Sequence, residues 1–148
     1  MLDKTQKYVL LGSCFSQYMG ERMESEGYHA LCNPVGTLFN PESIRNTVCH
    51  ALCGGAESLP MFHDRAMQEW RCWWANTRFR ADSEDEARAL VQEPFRALGD
   101  ALCHAGRLFL TLGTNVCYRL VENGMTVSNC QRQADRLFRE DSLSLQQT

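Results

Sequence analysis

Long apolar runs are missing from this 148-residue chain. The Tyr8-Val9-Leu10-Leu11 run is typical of those present, far short of the ~20 residues a membrane-spanning helix needs. The first seven residues, Met1-Leu2-Asp3-Lys4-Thr5-Gln6-Lys7, are polar and hold no apolar signal segment. An excess of positive charge is missing too. Fifteen Lys and Arg against 18 Asp and Glu leave a formal net charge of −3, which excludes a basic nucleic-acid footprint. Neither a nucleic-acid nor a membrane partner is expected. Internal repeats and low-complexity tracts are absent as well. With 44% hydrophobic and 22% charged residues the composition is globular, and the length suits one domain with its own core.

Cysteine is plentiful, with 8 residues, yet no Cys-x-x-Cys pair occurs. That removes zinc-ribbon and thioredoxin-like spacings. Without a secretory segment a disulfide framework is not expected either, and the chain reads as cytoplasmic with reduced thiols. Cys49 and Cys53 share one face if their segment is helical, but two thiols do not make a tetrahedral site. No metal or cofactor is expected. A phosphate-binding loop needs a Lys that Gly12 to Gly20 lacks. A dinucleotide fingerprint needs glycines where Cys14 and Gln17 stand.

What is present reads as alternating strands and helices. Lys7 to Leu11 predicts a buried strand closed by Gly12. Ser13 is a good cap for a helix with Phe15, Tyr18, Met19 and Met23 at helical spacing, stopped at Gly27. Tyr28 to Leu31 predicts a second strand. The loop Asn33 to Pro41 follows, pinned by Asn-Pro at both ends. Pro41 suits the first position of a helix carrying Ile44, Val48 and Leu52 on one face. Met61-Phe62-His63 and Trp70 to Trp74 read as strands or as aromatic loops over the core. Asp82 to His104 predicts a long helix with Ala87, Leu90, Val91, Phe95, Leu98 and Leu102 as its apolar stripe, kinked or divided at Pro94. Arg107 to Leu112 predicts another buried strand. Val116 to Val121 and Met125 to Val127 flank the hairpin signal Asn123-Gly124. Arg132 to Arg139 reads as a short helix. This order points to an α/β layer fold with a mostly parallel sheet, whose ligands sit beyond the carboxyl ends of the strands. Three loops open there: Gly12-Ser13-Cys14, Asn33 to Pro41, and Gly113-Thr114-Asn115.

A residue placed just after a strand and at the start of a helix sits at the helix's positive end. A thiol there is favoured as the nucleophilic thiolate. Cys14 is therefore a candidate nucleophile and Ser13 a second one. The plainer reading is that Ser13 only caps the helix and Cys14 packs beneath it.

Gly12-Ser13-Cys14-Phe15-Ser16 resembles the motif that names the GSCFA family, with Ser16 in place of its final Ala. Asn33 to Ile44 resembles that family's second block, Thr111-Leu112-Gly113-Thr114 its third, and Ser128-Asn129-Cys130 its fourth. Order and spacing agree over nearly the whole chain, which reads as a single domain over residues 1–148. The family is grouped with SGNH-type (GDSL-like) esterases and acyl hydrolases. The resemblance implies a three-layer SGNH-like (flavodoxin-like) fold and acyl-ester hydrolysis or acyl transfer, on a small acylated molecule or an acylated glycan. By position it puts Cys14 in the nucleophile's place. It also implies an oxyanion hole built from Cys14's own N–H, the Gly36 N–H and the Asn115 side chain. Asn40, Gly113 and Thr114, in the same loops, are the expected substrate contacts. The competing account of Gly36 and Asn115 is turn chemistry.

The chain departs from that pattern at the base. SGNH enzymes carry an Asp-x-x-His near the C-terminus, and none occurs here. The family's fourth block commonly reads Asn-Cys-His, and Gln131 stands in the His position. The expectation is a fold incomplete at its C-terminus, with an exposed sheet edge through which copies can self-associate. The alternative function is a non-catalytic binding or structural domain. Among the four histidines, His104 and His29 fall at the wrong end of their strands and His50 on a helix surface. His63, beside Asp64, is the one candidate for the base. Trp70, Trp73 and Trp74 offer an acyl pocket or, by the preferred reading, close the core.

Overall fold

The structure is a computed structural model that describes residues 2–146. The first half of the chain forms β1 (Lys7–Gly12), α1 (Cys14–Ser25), β2 (His29–Cys32), α2 (Pro41–Cys53), β3 (Met61–Asp64) and β4 (Glu69–Cys72). The second half forms β5 (Arg80–Ala81), α3 (Glu84–His104), β6 (Arg107–Thr111), β7 (Val116–Leu120), β8 (Thr126–Val127) and β9 (Phe138–Ser142). The strands make three small sheets, ordered β2-β1-β6, β3-β4-β5 and β8-β7-β9.

Only the first sheet is parallel. Its middle strand β1 is covered on both faces, so its apolar residues run on without alternating, and Tyr8, Val9, Leu10 and Leu11 are all buried. On one face Tyr8 and Leu10 pack with Met19 and Met23 of α1. On the other, Val9 and Leu11 pack with Val48 of α2 and Leu98 of α3. The expected mostly parallel sheet is corrected by the other two sheets, which are antiparallel. The connections at 65–68 and 121–125 are of hairpin length, and a parallel crossover needs a dozen residues or more.

Ser13 caps its helix as expected, and Asn40 and Ser83 cap α2 and α3. Ser13 Oγ accepts the Phe15 N–H at 3.3 Å, Asn40 Oδ1 accepts the Ser43 N–H at 2.8 Å, and Ser83 Oγ accepts the Glu86 N–H at 3.3 Å. The buried faces differ from the expected ones. On α1, Phe15 and Tyr18 point outward, while Ser16, Gly20 and Met23 are buried. A Cβ at Gly20 would stand 2.5 Å from the Cβ of Cys32, so the close approach to β2 selects that face. On α2, Leu52 is exposed, and Ser43, Ile44, Thr47 and His50 are buried. His50 is thus a core residue, not a surface one. On α3, Leu90 is exposed while Ala87, Val91, Phe95 and Leu98 are buried.

Pro94 neither divides α3 nor ends it. It removes one donor to the Leu90 carbonyl, and both residues line an open groove on the outer side of the helix, where solvent can replace it. Two further expectations fail. Residues 132–139 are not a helix. Gln131 and Arg132 take left-handed φ values of 55° and 59°, a single 3-10 turn covers Asp135–Leu137, and β9 follows, paired with β7 over five residues. Strand β6 is not buried. It lies at the sheet edge, with Leu108 and Leu110 exposed. Trp73 and Trp74 belong to the core: Trp73 stacks on Phe62 at 3.7 Å and meets Phe138 edge-on at 5.7 Å, and the Trp74 indole N–H donates to the Thr126 carbonyl, while Trp70 is half-buried beside His63.

Candidate functional site

The carboxyl end of β1 turns sharply into α1 at Gly12, whose φ is +140°. A side chain there would be strained in that backbone region and would run into the Thr111 carbonyl oxygen. The turn is tied on both sides. The Gly12 N–H donates to Asn33 Oδ1 at 2.9 Å, and the Gly12 carbonyl accepts the Leu38 N–H at 2.8 Å. On the β6 side the Thr111 hydroxyl is a hub, 3.0 Å from the Ser13 N, 3.1 Å from Ser13 Oγ and 2.7 Å from Ser16 Oγ. Asn33 and Thr111 thus lock the first loop to the strands beside it.

Ser13 is spent in this network. It caps α1 and shares a hydrogen bond with Thr111, and it is buried. Cys14 is the opposite case. It is exposed and is the first residue of α1, so its N–H has no acceptor within the helix. Two thiols within the fold have raised pKa values. Burial, with Glu24 and Glu21 nearby, pushes Cys32 up to about 11, and its Sγ donates to the Ser16 carbonyl. Burial pushes Cys72 up to about 12.

The three loops expected at this end of the sheet do meet. The Phe39 carbonyl accepts both the Gly113 and the Thr114 N–H, at 2.8 and 2.9 Å. A Cβ on Gly113 would stand 3.2 Å from the Phe39 ring and 3.4 Å from the Ser13 Cβ. Phe39 then opens onto a cleft of about 510 Å³, which Asn40, Thr114, Val116, Tyr118, Val127, Ser128, Asn129, Cys130 and Glu140 also line. Cross-strand register explains the sheet wall. Tyr118 lies opposite Val127 on one side and Glu140 on the other, so all three share a face. The Tyr118 hydroxyl donates to Glu140 Oε2 at 3.2 Å, and that carboxylate raises the Tyr118 pKa. Burial, and then the charge of Asp135, raises the Cys130 thiol. Asn40 uses its Oδ1 for the α2 cap, and Asn129 uses its Oδ1 for the Gln131 N–H. The amide nitrogens of both have no acceptor among the described residues.

The remaining expected site residues are placed as follows. Asn40 and Thr114 line the cleft and Gly113 adjoins it. Gly36, at φ +115°, packs against Asn76 and gives its N–H to the Asn33 carbonyl at 2.9 Å. The Asn115 side-chain amide donates to the Leu143 carbonyl at 3.0 Å, and its own carbonyl accepts the Leu143 N–H. Both behave as turn and tether residues here. His63 is exposed on β3 with its ring 5.3 Å from that of Trp70. Among the described residues no hydrogen bond joins it to Ser13 or Cys14. Gln131 is fully buried, and its Nε2 donates to the Cys72 and Ala75 carbonyls at 2.8 and 2.6 Å. It pins the segment around Cys130 onto β4.

Sequence reasoning missed Asn33, Thr111 and Ser16 as the groups that hold the first loop. It also missed Tyr118, Ser128, Asn129 and Glu140 as cleft walls. Asn33-Pro34 was legible as a turn, but the partner of its side chain lies 21 positions away. Tyr118 and Glu140 meet only through strand register, which no local signal carries.

No curated protein and no solved structure matches the chain. A family model does, and it spans residues 7–148, from the first residue of β1 onward. The match takes in the Gly12 turn, the Asn33–Pro41 loop, the Thr111 hub and the Ser128–Cys130 wall together: the chain belongs to the GSCFA family.

Proposed function

We propose that this GSCFA domain takes an acyl group from an ester onto Cys14, as an acyl-ester hydrolase or acyltransferase. The observation that carries the reading is the exposed thiol at the first position of α1, held at the carboxyl end of the central strand by the Asn33 and Thr111 ties. A thiolate there attacks the ester carbonyl, the alcohol leaves with a proton from solvent, and a thioester forms. Water or an acceptor hydroxyl then completes the transfer. The Cys14 N–H is the donor nearest the developing oxyanion. In this reading a small acylated molecule or glycan is the partner, with Asn40, Gly113 and Thr114 as contacts.

A second reading is a non-catalytic binding domain. It is favoured by Asn115 and Gly36, whose donors are engaged elsewhere, and by His63, which has no hydrogen bond to Cys14 among the described residues.

Acetylation by p-nitrophenyl acetate, mapped by peptide mass spectrometry, separates the two. Cys49, Cys53 and Cys103 are exposed thiols and serve as internal controls. The acyl-transfer reading expects Cys14 to acetylate at least about tenfold faster than these three, and Cys14→Ala to abolish the adduct. Equal labelling of all four removes Cys14 as a nucleophile and leaves the binding reading.

A further inference from the structure

The cleft beside Phe39 has a composition that the acyl chemistry does not use. Two of its lining rings, Phe39 and Tyr118, are 44% and 41% exposed, which leaves aromatic faces open to the apolar side of a ligand. Around them stand neutral hydrogen-bonding groups of both kinds. The Asn40 and Asn129 amide nitrogens are donors, the Tyr118 hydroxyl is fixed by Glu140, and the Glu140 carboxylate keeps acceptor sites to spare. The Ser128 hydroxyl, also in the lining, is shut off from solvent and has no partner among the described residues. That hydroxyl lies within the wall, and a ligand in the cleft meets other atoms of Ser128.

Charge narrows the ligand class. Among the described residues Glu140 is the one formally charged side chain in the lining, and burial and then Asp135 raise the pKa of the Cys130 thiol. An anionic ligand would meet that carboxylate with no cation to offset it. A purely aliphatic ligand would strand the Asn40 and Asn129 amides. The ligand that fits is uncharged and ring-shaped, with apolar C–H faces for Phe39 and Tyr118 and a rim of hydroxyls for the amides and the carboxylate. We propose that this cleft is a saccharide-binding subsite, with Phe39 and Tyr118 as platforms and Asn40, Asn129 and Glu140 reading the ring hydroxyls. The proposal deepens the acyl-transfer reading by naming the substrate as a neutral glycan, and in that sense rests on it. The binding event itself does not need Cys14, which lies outside the lining.

The test is a backbone-amide NMR titration of the whole chain with neutral trisaccharides: chitotriose, cellotriose, maltotriose and xylotriose. The expected result is saturable shifts from at least one of them, centred on Asn40, Tyr118, Ser128 and Asn129. Tyr118→Ala and Phe39→Ala should weaken that binding by about tenfold or more. Glu140→Gln, which keeps the size of the side chain, should weaken it less. Cys14→Ala should leave it unchanged. Adenosine, a neutral ligand with an aromatic face, is the control for simple stacking. Tighter binding of adenosine than of any trisaccharide overturns the proposal, and so does the absence of saturable shifts with all four sugars. Sugar binding without a Cys14 acetyl adduct would retain the subsite and reject the acyl-transfer reading. The adduct without sugar binding would do the reverse.

Discussion

His50 sits between α2 and α3, with its ring edge-on to Phe95 at 4.6 Å and to Trp74 at 5.8 Å. Its Nδ1 is 3.3 Å from Ser58 Oγ, and its Nε2 has no hydrogen-bond partner among the described residues. Burial lowers the pKa of this histidine, with a smaller opposing effect from Gln92. The folded pKa therefore lies below the unfolded one, and the unfolded chain binds more protons between the two. The contribution is fully present above the unfolded value of about 6.5 and is lost as pH falls through the folded pKa. The urea midpoint should drop between pH ~7.5 and pH ~5.5, and His50→Gln should flatten that part of the profile. An equal slope in the variant would place the pH dependence elsewhere. The residue also shows what periodicity conceals. Ser13 was legible as a cap because a cap is a contact within four residues. The burial of Ser43, Thr47 and His50 was not, since a pattern search seeks apolar spacing and this face of α2 is largely polar.

At the scale of elements, Arg119 is the bolt between α2 and the β8-β7-β9 sheet. Its Nη2 lies 2.6 Å from Glu42 Oε2, its Nη1 3.0 Å from Glu42 Oε1, and its Nε 2.9 Å from Asp141 Oδ2. Thr126 Oγ1 accepts a further bond at 2.8 Å. Both carboxylates favour the charged guanidinium against its partial desolvation. A planar fork meets Glu42 with two bonds, which Lys cannot copy. Arg119→Ala leaves Glu42 half-buried without its partner and should cost about 2–3 kcal/mol, below the figure for a fully buried pair. Arg119→Lys should recover only part of this. A double-mutant cycle with Glu42→Gln by denaturant unfolding reads the coupling, and a coupling near zero would reduce the bolt to a surface pair. Elements were the most legible level in the sequence. Strands β1, β2 and β6, helices α1 to α3 and the Asn123-Gly124 hairpin all fall close to where patterning puts them. The failure at 132–139 has a local cause, because left-handed backbone at Gln131 and Arg132 delivers the chain to β7 as a strand.

Across the molecule as a whole, all three sheets have open edges, and the edge at β6 is rich in exposed leucine. In the order β2-β1-β6, strand β6 has β1 on one side and no strand on the other among the described residues. Its neighbours in sequence show why the position read as buried: Leu108, Phe109 and Leu110 look like interior residues, and only the topology reveals that the strand ends the sheet. Phe109 packs with Tyr8 and Leu10 on the α1 side. Leu108 and Leu110 alternate with it onto the opposite face, where they are 42% and 51% exposed, with Leu112 just beyond at 54%. Natural edge strands are usually blunted by Lys, Pro or a bulge, and β6 has only Arg107 at its start. A two-fold axis normal to the sheet would pair β6 with β6 of a second copy antiparallel, and residues of like parity would then oppose each other, leucine beside leucine. Light scattering should therefore show the mean mass rising with protein concentration. Leu110→Lys, at a position already half in solvent, should hold the chain monomeric at concentrations where the parent associates, with no loss of thermal stability beyond about 0.5 kcal/mol. A parent chain that stays monomeric throughout, or a variant that associates as readily, would mean that this edge is not where copies meet.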